Sequence, residues 1–150
     1  MFRRARFALA LVSLGALLLA SVGPAAAGGR KAFDSSLVAI PTGGLVLDGV
    51  TGGGVPWSID EGRATLTAGG RLHVEVEGLV ITSSGANPVT TGRAAVVCAG
   101  AVVASTDAVP FSSAGDAEID ATVSIPSPCL DLAVLFENGA GTRWFAVTGL

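Results

Sequence analysis

An all-β fold is the class this sequence predicts, as an antiparallel β-sandwich of immunoglobulin-like type with a small β-barrel as runner-up. Three observations lead there. Apolar and polar residues alternate with period two in several segments of the 150-residue chain, no segment after residue 27 carries a helical period, and short apolar runs are separated by Gly, Pro and Ser turns.

The first 27 residues stand apart. Arg3, Arg4 and Arg6 form a positive start, Phe7 to Ala20 is apolar or small except for Ser13 and Gly15, and Gly23-Pro24 precedes Ala25-Ala26-Ala27. A charged head, a short apolar run and small residues in that order are an export signal, and the run is too short to span a bilayer comfortably. Residues 1–27 therefore read as a signal helix that is removed, with cleavage between Ala27 and Gly28. Ala5-Arg6 stands where a twin-arginine signal usually places an apolar pair, which favours the general secretory route. No cysteine lies near the cleavage position and no apolar tail follows residue 130, so neither a lipid nor a C-terminal anchor is expected. Cleavage leaves 123 of the 150 residues, one domain's worth, and a secreted, soluble product.

That cleavage removes three of the nine Lys and Arg and none of the twelve Asp and Glu, moving the net charge from −3 to −6. An acidic domain lacks the clustered cations that hold phosphate backbones or anionic lipid, so neither nucleic acid nor membrane is an expected partner.

Residues 28–54 form a Gly-rich segment with one or two weak strands, Ala32 to Ile40 and Leu45 to Leu47. Its stretch from Gly43 to Gly54 has no Gly-Lys-Ser/Thr and leads into Pro56-Trp57 rather than a helix. It is no phosphate cradle, and reads as a flexible loop or wide hairpin. The main β domain is 55–150. Between Arg63 and Val76, Ala68-Gly69-Gly70 marks a hairpin turn. A three-residue loop pairs Leu66 with Leu72, Ala64 with Val74, Thr65 with His73 and Arg63 with Glu75, putting apolar against apolar and opposite charges face to face.

Arg93 to Cys98 and Ala101 to Ser105 flank Ala99-Gly100, a second hairpin or bend. Ala117, Ile119, Ala121, Val123 and Ile125 alternate with polar residues, as a strand with one buried face requires. Leu132 to Phe136 and Trp144 to Val147 do not alternate and read as strands covered on both faces, with Asn138-Gly139 opening the turn between them.

Cys98 and Cys129 are the only cysteines. An even count outside the cytoplasm predicts a disulfide between them, worth roughly 3.5 to 4 kcal/mol by loop closure. A redox pair or thiolate metal site is disfavoured, because no CxxC is present and the chain has one histidine.

Catalytic chemistry is sparse. His73 shares a polar strand face with Glu75 and Glu77, but residues two apart on a strand are roughly 6.5 Å apart, so one ion would not easily gather all three. No G-x-S-x-G elbow accompanies the histidine. Asp116, Glu118 and Asp120 suggest calcium, with Asp107, Ser112 and Ser113 as further donors, yet the same spacing applies and an acidic face needs no ion. Asp60, Glu61, Glu75 and Glu77 supply carboxylates for glycosidic cleavage without an aromatic sugar platform, since Trp57 and Trp144 both read as buried. Neither enzymatic activity nor a metal or cofactor is expected.

Trp57-Ser58-Ile59, Gly78-Leu79, Asn87-Pro88, Cys98-Ala99-Gly100, Gly115-Asp116-Ala117, Ile125-Pro126-Ser127-Pro128-Cys129 and Trp144 to Gly149 form a set of landmarks. With them the chain, over about residues 55–149, resembles a group of short exported bacterial β-rich proteins of unknown function. The resemblance implies a β-rich fold with a bridged cysteine pair and no activity. Three functions are then open. The sequence favours a non-enzymatic module that contacts an extracellular protein, the cell surface or an envelope polymer. A carrier of a small ligand or carbohydrate would instead show a large apolar pocket, and a hydrolase would show His73 in a pocket beside a serine and a buried carboxylate.

Overall fold

A computed structural model describes residues 29–149. The export signal and its cleavage position, Ala27 and Gly28, lie outside the described residues. Thirteen strands and no helix occur among them: β1 (Lys31–Ala39), β2 (Val46–Leu47), β3 (Val50–Thr51), β4 (Trp57–Ser58), β5 (Glu61–Thr67), β6 (Arg71–Glu77), β7 (Val80–Ile81), β8 (Thr91–Cys98), β9 (Ala101–Ser105), β10 (Val109–Pro110), β11 (Ala117–Thr122), β12 (Ala133–Asn138) and β13 (Trp144–Thr148).

Nine strands form one curled antiparallel sheet in the order β10-β8-β12-β13-β1-β5-β6-β11, with β9 beside β10 on the free edge of β8. The curl comes from β1. Its first part, Lys31 to Ser36, pairs with β5, and its last residues, Leu37 to Ala39, pair with β13. One strand thus belongs to two halves, which face each other as a half-barrel. The end strands β10 and β11 approach without pairing. The all-β class expected from the sequence is the class observed.

The first hairpin has the expected register: Leu66 opposes Leu72, Thr65 opposes His73, Ala64 opposes Val74 and Arg63 opposes Glu75. Gly70 supplies the left-handed residue of its three-residue loop at φ 83°. A Cβ there would also overlap the carbonyl oxygen of Val123, whose amide donates to the Gly70 carbonyl at 2.8 Å. The second expected hairpin joins β8 to β9, with Cys98 opposite Ala101. Ala99 and Gly100 both have positive φ, as a two-residue turn between right-twisted strands requires.

The alternating residues of β5, β6 and β11 turn Ala64, Leu66, Leu72, Val74, Val76 and Ile119 inward, where they meet Leu135, Phe136 and Val147 in one core. β13 is buried along its whole length and β12 almost so, as expected of strands in the middle of a sheet. Phe111 packs edge-on to Phe136 at 5.1 Å, and Trp57 lies against Phe145 at 4.3 Å.

The Gly-rich segment takes the hairpin alternative. β2 and β3 pair across Asp48-Gly49, and below them Gly44 donates to Gly53 and Gly53 to Trp144. Close approach to the core explains the composition, since a Cβ on Gly53 would lie 2.7 Å from Trp57 Nε1 and 3.2 Å from Phe145 Cδ1.

Candidate functional site

The four strand ends that meet at one end of the curled sheet decide what lies there. The start of β1 opposes the end of β5, and the start of β6 opposes the end of β11. Beyond β11 the chain must pass from one half of the sheet to the other, because β12 pairs with β8 and β13. Residues 123–132 make that crossing. Val123 bonds to Gly70 at its beginning, and near its end Ala99 donates to the Leu130 carbonyl at 2.7 Å. The Cys98–Cys129 disulfide holds the crossing to the end of β8, with the two Cα atoms 5.1 Å apart.

Beneath this crossing is a cavity of about 730 Å³. Phe33 of β1, Leu66 of β5, and Val123, Ile125 and Leu132 of the crossing supply its apolar lining. Thr67, Thr122, Ser124 and Ser127 add hydroxyl groups, and among the described residues no charged side chain lines it. Its volume falls within the range of small-molecule sites, and its lining combines an apolar body with a few groups that can accept or donate a hydrogen bond. Cys129 lines it as well, so the predicted disulfide is part of its wall.

The other candidate residues are placed elsewhere. His73 is on the outer face of the sheet, with Nδ1 3.1 Å from Asp120 Oδ1, and is not among the residues lining the cavity. Glu75 and Glu77 lie farther along β6, where Glu75 opposes Arg63 and Glu118, and Glu77 opposes Glu61. Asp60, Glu61, Glu75 and Glu77 are all exposed. Trp57 and Trp144 are 5 % and 1 % exposed, so neither supplies a sugar platform, and the carbohydrate form of the carrier loses its basis.

Asp116 ties its own loop to the end of β6: its carboxylate accepts from the Gly78 amide at 3.1 Å and the Ser112 hydroxyl at 3.1 Å, while its amide donates to Ser112 Oγ. On the outer face Asp34 takes hydrogen bonds from Arg63 and Lys31, and these cations, Arg63 foremost, hold its carboxyl below the usual range.

Sequence reasoning missed the cavity and the crossing above it. The alternation through Val123 and Ile125 was legible, but it gave no indication that these residues leave the sheet after Thr122. Comparison with protein-family models, with curated proteins and with solved structures gives no match for this chain.

Proposed function

We propose that this protein is a non-enzymatic, exported β module that holds a small, neutral, largely apolar ligand in the cavity beneath residues 123–132. The cavity itself carries this reading, because an open pocket of small-molecule size, lined by Phe33, Leu66, Ile125 and Leu132 together with hydroxyl groups, is what a carrier needs and an interaction module does not. An uncharged lining gives no counter-ion to a buried charge, so the favoured ligand presents hydrocarbon to Phe33, Leu66 and Ile125 and at most a few hydrogen-bonding groups to the hydroxyls. Export is supported by the order of the first 27 residues, and the disulfide fits an extracellular setting. The immunoglobulin-like comparison enters only as a general plan: facing halves of one curled sheet enclose an end cavity as facing sheets of a sandwich would.

The test is binding of the neutral fluorophore N-phenyl-1-naphthylamine. Saturable enhancement of its emission is expected, and Ile125→Trp, which fills the cavity from a partly buried position, should abolish it while the melting temperature stays within a few degrees. Unsaturable emission, or emission unchanged by Ile125→Trp, would rule the carrier out.

The interaction reading favoured by the sequence keeps one supporting observation. β9 lies at a free edge and leaves Val102 and Val103 39 % and 37 % exposed, with no charged residue in the strand. Such an edge is a template for an added strand from a partner.

A further inference from the structure

We infer that His73, Glu118 and Asp120 form a binding site for a divalent transition ion of the zinc class on the outer face of the sheet. The inference is independent of the cavity.

Along one strand these residue types cannot converge, because like-facing neighbours are roughly 6.5 Å apart. Across two strands the distance is shorter, roughly 4.8 Å. β6 and β11 run antiparallel with Asp120 directly opposite His73 and Glu118 opposite Glu75, so the histidine has one carboxylate across the ladder and a second on the diagonal. The result is one imidazole and two carboxylates whose ligating atoms all lie within 4.8 Å of one another. Nδ1 and Oδ1 stand 3.1 Å apart as a hydrogen-bonded pair, and that separation also equals the bite of two ligands on one ion, about 2.9 to 3.4 Å for bonds of zinc length at octahedral to tetrahedral angles, so an ion would take the place of the shared proton. Glu118 and Asp120 are both exposed, which leaves their carboxylates room to turn toward the imidazole.

The donor set also selects the ion. Imidazole with carboxylates suits zinc and its transition-metal neighbours, whereas calcium and magnesium take oxygen donors. The three protein ligands occupy one side of the ion, leaving the solvent side for water. Glu75 beside Glu118 adds negative charge to the same face. Such an exposed, three-ligand site is suited to reversible binding rather than to holding the fold together.

The chain has one histidine, so its imidazole gives a single set of nitrogen and proton resonances. The experiment is a Zn²⁺ titration of the full, untagged protein followed at that imidazole by NMR, with calorimetry in parallel. The expected result is saturable displacement of the His73 resonances below about 1 mM Zn²⁺, with no displacement by Mg²⁺ or Ca²⁺. Asp120→Asn and Glu118→Gln should each weaken binding about tenfold or more while the protein stays folded, and Glu61→Gln, outside the trio, should not. Three results would overturn the site: imidazole resonances that do not move, displacement that grows linearly without saturating, or an affinity unchanged by Asp120→Asn.

Discussion

Glu137 is buried to 1 % exposure on β12, directly across from Arg93 on β8, and accepts a hydrogen bond from Arg93 Nε at 3.0 Å. Burial raises its carboxyl pKa from 4.5, and the arginine opposes that rise without cancelling it. A raised acid holds its proton more tightly in the folded chain than in the unfolded one. Its contribution is therefore fully present below about 4.5 and is lost as pH rises through the folded value. Glu137→Gln keeps the shape and an acceptor for Arg93, so it should flatten this part of the stability profile and change neutral stability by less than about 2 kcal/mol. Arg93→Ala leaves a buried carboxylate without its cation and should cost about 3 kcal/mol at pH 7, shrinking as pH falls and Glu137 takes up a proton. Urea denaturation of both variants between acid and neutral pH checks the two signs together. Nothing in the sequence marked this pair. Arg93 opens an otherwise apolar run, and its partner lies 44 positions away.

Among elements, legibility followed the range of the pairing. The β5–β6 hairpin could be read because turn and register lie within one short segment, so that Leu66 against Leu72 and Arg63 against Glu75 select the loop length. The β8–β9 turn was legible for the same reason. β1 was legible as a strand over Ala32 to Ile40 but its role was not: alternation cannot reveal that a strand exchanges one partner for another between Ser36 and Leu37, which is the step that curls the sheet. His73 illustrates the cost of reading along a strand, since its partner Asp120 lies 47 residues on and reaches it through the β6–β11 ladder. The hairpin loop also offers a matched pair of substitutions. Gly70→Ala places a Cβ at φ 83° and against the Val123 carbonyl, and should cost roughly 2 kcal/mol or more. Gly69→Ala meets only Thr67 Oγ1 at 3.9 Å and should be neutral or slightly stabilising. Thermal unfolding of the two variants compares them, and equal losses would place the strain in the loop as a whole rather than at Gly70.

For the whole molecule, the disulfide joins stability to the cavity. The sequence identified the Cys98–Cys129 pair by counting, but a wall built from β1, β5 and a crossing after β11 exists only once distant strands have paired. The bridge spans 31 positions, so losing it should destabilise the chain by roughly 3.5 to 4 kcal/mol through the entropy of the unfolded state. That effect alone leaves the native cavity unchanged. A second effect is expected, because residues 123–132 are otherwise tied down by few bonds, chiefly Val123 to Gly70 and Ala99 to Leu130. With Cys129 released, the wall that carries Ile125 and Leu132 can open locally at lower cost than global unfolding. Cys98→Ser/Cys129→Ser should therefore lower the affinity for N-phenyl-1-naphthylamine even at a temperature where the chain is fully folded, and faster hydrogen exchange should be confined to residues 123–132. If the double variant loses stability but keeps the parent affinity and exchange pattern, the bridge acts on the unfolded chain only, and the cavity wall is held by its packing and backbone bonds.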